Sequence, residues 1–191
     1  MLLVLHAVRL LGFADIPAVA KRFNLNVDDT QHALAEAEAR GWTTYSRFAG
    51  TAGWSLTETG RAENERLLQT EGGTQTVKQV YDEFLPLNAL LQQACTDWQL
   101  KPTANDPLAA NDHEDPAWDA GVLDELRVLN SALAPLSRRL TDALPRFQGY
   151  DVRFEHALKH RWVDRSDVDS CHRVWFELHE DLIATLGLTR S

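Results

Sequence analysis

The sequence predicts a mostly α-helical chain in two parts: three short helices closed by a β-hairpin, then a bundle of longer helices. Three observations carry this. Apolar residues recur every three or four positions from Leu2 to Arg40, in short segments separated by turn residues. The period changes to two between Trp42 and Leu56. Beyond Gly72-Gly73, apolar seams at spacings of three and four run for many turns.

Leu2, Leu3, Leu5, Val8 and Leu11 form the first stripe, which stops at Gly12. Asp15 before Ile16-Pro17 marks the next helix start. The aspartate can accept a bond from a free backbone N–H, and proline in the first turn has no N–H to lose; such a cap is worth about 1 kcal/mol. That helix runs to about Phe23 and turns Ile16, Val19, Ala20 and Phe23 inward. After the turn Asn24-Leu25-Asn26, Asn26 caps a third helix, Val27–Arg40, which ends at Gly41. Two short helices across a tight turn form a helix-turn-helix pattern. Trp42–Phe48 is rich in aromatic and β-branched residues and reads as a strand; Gly50–Gly53 reads as a turn and Trp54-Ser55-Leu56 as the returning strand. Thr57 or Thr59 caps a helix through Leu68. A hairpin directly after a helix-turn-helix makes an N-terminal winged helix with a two-stranded wing.

Val77, Val80, Phe84, Leu87, Leu91, Ala94 and Trp98 make one seam, with Pro86 inside it. Trp118, Val122, Leu126, Leu129, Leu133, Leu136, Leu140 and Leu144 make another, opened by the cap-plus-proline pair Asp115-Pro116. A shorter helix is expected over about 152–161 and a last one from about Asp169 to Leu186. Four such helices can bury each other as a C-terminal α-helical bundle, or bury a face against a second copy. The expected domains are 1–71 and 72–191.

The chain has 191 residues and a net charge of −9, which excludes a wholly basic nucleic-acid coat but not a local basic surface. Most of the excess lies in the second part: residues 1–71 carry seven Lys/Arg against nine Asp/Glu, and residues 72–191 twelve against nineteen. No apolar run reaches the ~20 residues of a membrane span. Two cysteines, Cys95 and Cys171, make no disulfide framework, and a cytoplasmic location is expected.

Residues 1–71 resemble the winged-helix domain of MarR-type transcriptional regulators. Leu56-Thr57-Glu58-Thr59-Gly60-Arg61 is similar to the segment that closes the wing in that family. Arg40-Gly41-Trp42 is similar to its recognition-helix end, and Ala20 and Leu25 fall where the family packs its first two helices on the third. The blocks Asn111–Pro116 and Asp169–Asp181 resemble those of a group of actinobacterial proteins described as regulators. The resemblance implies a dimeric transcription factor that binds double-stranded DNA and answers a small-molecule effector.

On that reading Val27–Arg40 enters the major groove. Gln31 can pair bidentately with adenine, and His32 can meet a base or phosphate. Arg47, with Thr51 at the wing tip, is the backbone or minor-groove candidate, and Arg40, Arg9, Lys21 and Arg22 offer phosphate contacts. The same segment holds Asp28, Asp29, Glu36 and Glu38 against one arginine, a net of −3. Asp28 and Asp29 sit in the first helical turn, where the macrodipole favours them. The acidity also supports an alternative, a winged helix that binds protein and not DNA.

The expected effector pocket is in the helical part, from Trp98, His113, Trp118, His172, Trp175 and His179: aromatic walls with a few polar groups. A metal site on His113, His172 and His179 is disfavoured, because His172 and His179 are two turns apart and chelating helices use spacings of three or four. A redox role for Cys171 would need the thiolate that a helix start favours and acidic neighbours oppose. No phosphate-binding glycine loop, nucleophile elbow or zinc spacing is present, so no enzyme, metal or cofactor is expected.

Overall fold

A computed structural model describes residues 1–48 and 50–188. The chain falls into two compact units, Met1–Gly72 joined by the stretch from Ile183, and Gly73–Leu182. The molecule is mostly helical, with a winged helix first and a helical bundle after it.

In the first unit α1 (Leu2–Leu11), α2 (Ile16–Arg22) and α3 (Val27–Ala39) precede the hairpin β1 (Thr43–Phe48) and β2 (Thr51–Leu56), and α4 (Glu58–Leu68) follows. The caps are those the residue types dictate. The Asp15 carboxylate accepts from the Ala18 N–H at 2.9 Å, and the Asn26 side chain from the Asp29 N–H at 3.0 Å. Of the two threonines after the wing, Thr57 is the cap, accepting from the Gly60 N–H at 3.0 Å. The core is one cluster of Val4, Ala7, Val8, Ala14, Val19, Leu34 and Trp54, flanked by Leu11, Ile16, Phe23 and Leu25.

The wing turn is tighter than the sequence suggests. Pairing is continuous from Thr43 opposite Leu56 to Phe48 opposite Thr51, so Thr51, Ala52 and Gly53 belong to the strand. Gly50, at φ +81°, serves the turn. Gly53 serves a different need. Ala14 and Trp54 exchange backbone hydrogen bonds of 3.1 and 2.8 Å, and a Cβ on Gly53 would lie 2.9 Å from the Ala14 carbonyl. The glycine lets a third extended segment approach the hairpin.

The second unit holds α5 (Thr74–Gln99), α6 (Pro116–Ala143), a single 3-10 turn at Pro145–Phe147, α7 (Tyr150–Lys159) and most of α8 (Cys171–Leu186). The Asp115 carboxylate caps α6, accepting from Ala117 and Trp118. The predicted seams face inward: Val77, Val80, Phe84, Leu91 and Ala94 on α5, and Val122, Leu126, Leu129, Leu133, Leu136 and Leu140 on α6, are buried. The shorter helix begins and ends earlier than expected. Gly149 opens α7 at φ +94°, and the chain leaves it through Arg161 at φ +54°. The last helix starts two residues later than expected, where the Ser170 hydroxyl accepts from the Arg173 N–H.

Candidate functional site

Helix α3 is fixed by its inner face. Thr30, Leu34 and Ala37 are buried, and the Thr30 hydroxyl donates to the Asn26 carbonyl at 2.7 Å. Three and four residues apart, these positions share one side of the helix. Gln31, His32 and Ala35 are therefore turned out, and all three are exposed. So are Asp28, Asp29, Glu36 and Glu38, so the exposed surface of α3 carries more acid than base.

The two predicted arginines are present at this surface but occupied. Arg40, at the C-cap of α3, pairs with Glu36 one turn back, and its guanidinium lies 4.9 Å from the Trp42 ring centre. Arg47 on β1 donates to the Tyr45 hydroxyl at 3.4 Å. Thr51 is exposed, and its hydroxyl donates to the Phe48 carbonyl at 2.7 Å. Phe48 itself, 81% exposed beside the wing turn, was not expected as a site residue. Only its place at a strand end hinted at it. Lys21 is exposed, but Arg9 is not available to a phosphate. Its guanidinium is buried between α1 and α4, where it donates to Glu65 at 2.8 Å.

The residues expected to form one effector pocket fall into two groups, with His172 outside both. Trp98, His113 and Trp118 meet at the junction of α5 and α6. The His113 ring centre lies 4.6 Å from that of Trp98, and the Trp118 indole N–H donates to the Asp97 carbonyl at 2.7 Å. Trp175 and His179 pack instead around Phe84, with ring centres 4.8 and 5.4 Å from it. The Trp175 indole N–H donates to the Asn88 side chain at 3.1 Å. His172 is exposed on the first turn of α8.

The first group centres on a residue that the sequence reading missed. Asp119, buried in the first turn of α6, accepts from Asn111 at 3.0 Å and Arg161 at 3.2 Å, and lies 3.0 Å from His113 Nδ1. Burial alone would raise its pKa, but the hydrogen bonds from Asn111 and His113 and the charges of His113 and Arg161 outweigh it and hold the carboxyl below its ordinary range. Asn111 also donates to the Trp98 carbonyl at 3.0 Å, tying the loop to the end of α5. Asp119 had one sequence signal, its place four residues after the cap. Arg161 had none.

A second buried network joins α7 to α8. Arg146 pairs with Asp181, whose other oxygen accepts from the Tyr150 hydroxyl at 2.9 Å. Arg153 pairs with Asp169 at 2.9 Å and Glu177 at 2.8 Å. Cys95 and Cys171 are both buried free thiols. Burial pushes each up to about 12, which removes the thiolate that a redox role for Cys171 would need. Among the described residues no group of three His, Cys, Asp or Glu side chains could hold a metal ion. Nor is any helix among them long and apolar enough to cross a membrane. Comparison with family models, with curated proteins and with solved structures returns no match.

Proposed function

We infer that this chain is a DNA-binding transcriptional regulator of the MarR-like winged-helix kind, working in the cytoplasm as a homodimer under a small-molecule effector. One observation carries the reading: α3 is capped and packed on its inner face, leaving Gln31 and His32 exposed on its outer face beside an extended wing. A helix held this way can lie in a major groove with its amide and imidazole at base edges. Two-fold pairing of copies would supply two such helices to a two-fold operator.

The basic footprint is thin. Counting Lys21 and Arg47 from each of two copies gives about four phosphate contacts, and so a log–log salt slope of about −4, at the shallow end for specific binders. The experiment is fluorescence anisotropy with DNA from upstream of the chain's own coding sequence, across a salt series. Submicromolar binding with that slope, weakened at least about tenfold by Gln31→Ala combined with Arg47→Ala, is the expected result. Absence of binding below micromolar protein at low salt would refute it.

The acidity of α3 favours a second reading, a protein-interaction module. Four exposed carboxylates on the helix, with Phe48 and Tyr45 exposed on the wing, suit a basic-aromatic protein surface better than phosphate. Failure on DNA, followed by loss of a partner on Phe48→Ala, would support this one.

A further inference from the structure

Between α6 and α7 lies an open hollow of about 510 Å3, with Leu123, Arg127, Glu155, Leu158, Lys159 and Arg161 on its walls. Three cations and Glu155 line it, and the other two carboxylates that pair with those cations, Asp124 and Asp119, are not among its lining residues. Leu123 is buried and Leu158 half-buried, so the hollow also has an apolar surface.

The cations are held in two different ways. Arg127 pairs with Asp124, and Lys159 with Glu155 at 2.8 Å, both within one helical turn and both well exposed. Pairs of that kind are weak and exchange readily with a better acceptor. Arg161 is anchored differently. Its side chain is 58% exposed, and its backbone, in the left-handed region at φ +54°, ends α7, where the Arg161 and Trp162 N–H groups donate to the Leu158 and Ala157 carbonyls at 3.0 and 2.9 Å. Its Nη2 donates to buried Asp119 at 3.2 Å, and the guanidinium carbon lies 5.9 Å from the Trp98 ring centre. Besides Arg161, the described non-glycine residues with positive φ are Asn24 and His113, and His113 contacts that same carboxylate. One buried carboxylate thus orients one edge of the Arg161 guanidinium and leaves the rest of it exposed at the edge of the hollow.

We propose that this hollow binds a small phosphate ester. Arg161 offers a planar fork oriented at one edge by Asp119, Lys159 and Arg127 bring charge from the two helices, and Leu123 and Leu158 lie against the organic group. A phosphate presents several oxygens and up to two charges, so it can engage cations from more than one wall. A single planar carboxylate would be satisfied by the arginine alone. Orienting one edge of the guanidinium beforehand lowers part of the ordering cost of binding. The site lies within the second unit and does not depend on the DNA reading.

The test is isothermal titration calorimetry of the full chain at low salt, with phenyl phosphate, inorganic phosphate and malonate as probes. Phenyl phosphate is expected to bind with a submillimolar Kd, and inorganic phosphate about tenfold or more weakly because it leaves the leucines uncovered. Lys159→Gln and Arg161→Gln are each expected to weaken phenyl phosphate about tenfold. Lys159→Gln, at an exposed site, is expected to leave Tm unchanged, which keeps the result readable even if Arg161→Gln fails to fold. No heat at millimolar phenyl phosphate would overturn the proposal. So would binding that ignores Lys159→Gln, inorganic phosphate as tight as the ester, or malonate as tight as phenyl phosphate.

Discussion

In the winged-helix unit no carboxylate is buried among the described residues, whereas the helical unit buries Asp119, Glu177 and Asp181. The first unit's buried polar groups are mainly neutral or local: Thr30, Thr43, and His6 against Asn64. Among its described residues the buried arginine, Arg9, reaches outward to a half-exposed glutamate. In the second unit full charges are taken out of water and paired across long separations in sequence: Arg146 with Asp181, buried on both sides of the pair, and Asp119 and Glu177 with the more exposed Arg161 and Arg153. The contrast shows two ways of specifying a fold. A small domain built on caps, turns and apolar contacts buries no carboxylate among the described residues. A bundle of long amphipathic helices has many near-equivalent packings, and a charge that must find its partner can select one of them.

The largest expected effect tests that contrast directly. Asp181→Ala takes from buried Arg146 and from the Tyr150 hydroxyl the carboxylate that they share and should cost about 3–5 kcal/mol, read from urea unfolding of the helical signal. A loss below about 1 kcal/mol would mean that the buried pair does not distinguish the units. The counterpart in the first unit involves shape alone. A Cβ on Gly60 would lie 1.8 Å from the Trp42 carbonyl oxygen, so Gly60→Ala forces backbone apart and should cost about 3 kcal/mol. That cost should be the same at acid and neutral pH, because no titrating group is involved.

A pH series sharpens the comparison. Asp119 has a folded pKa below its unfolded one, so its contribution to stability is fully present above the unfolded carboxylate range and is lost as pH falls through the depressed folded value. Thermal unfolding from neutral pH downward should show this extra acid sensitivity in the wild-type chain. Asp119→Asn should be less stable at neutral pH and converge on the wild type in acid. The smallest effect concerns the surface of α3. Glu36→Gln removes an exposed partner of Arg40 and should change stability by no more than about 0.5 kcal/mol. If the DNA reading holds, it should free Arg40 for phosphate and steepen the salt slope by about 0.9 for each copy bound.

Much of the fold was legible because local chemistry decided it. Asp15, Asn26 and Asp115 cap the helices that their types and neighbours announced, and the alternation after Gly41 marks the hairpin. The inward set Thr30, Leu34, Ala37 and the outward pair Gln31, His32 follow from helical spacing alone. Sequence misled where a residue type has two uses. Gly53 resembled a turn glycine but serves the close approach of Ala14. Cys171 sits at a helix start, yet its burial overrides the effect of that position. The grouping of the helical-unit aromatics was not readable, since helix spacing fixes which face a tryptophan takes but not which helix it meets. Asp119 and Arg161, 42 residues apart, were invisible as a pair for the same reason.

The end of α3 is tied down unusually well. The Gly41 carbonyl accepts from the hydroxyls of both Thr57 and Thr59, at 2.6 and 2.8 Å, while the Trp42 carbonyl accepts from the Thr57 N–H at 3.0 Å. These bonds stitch the tail of the exposed helix to the foot of the hairpin's second arm. Helix and arm must then tilt together, as a spade and its handle do. If the DNA reading holds, adjustment to the contours of a duplex falls to side chains and to the arrangement of the paired copies, not to any give between the two parts of the tool.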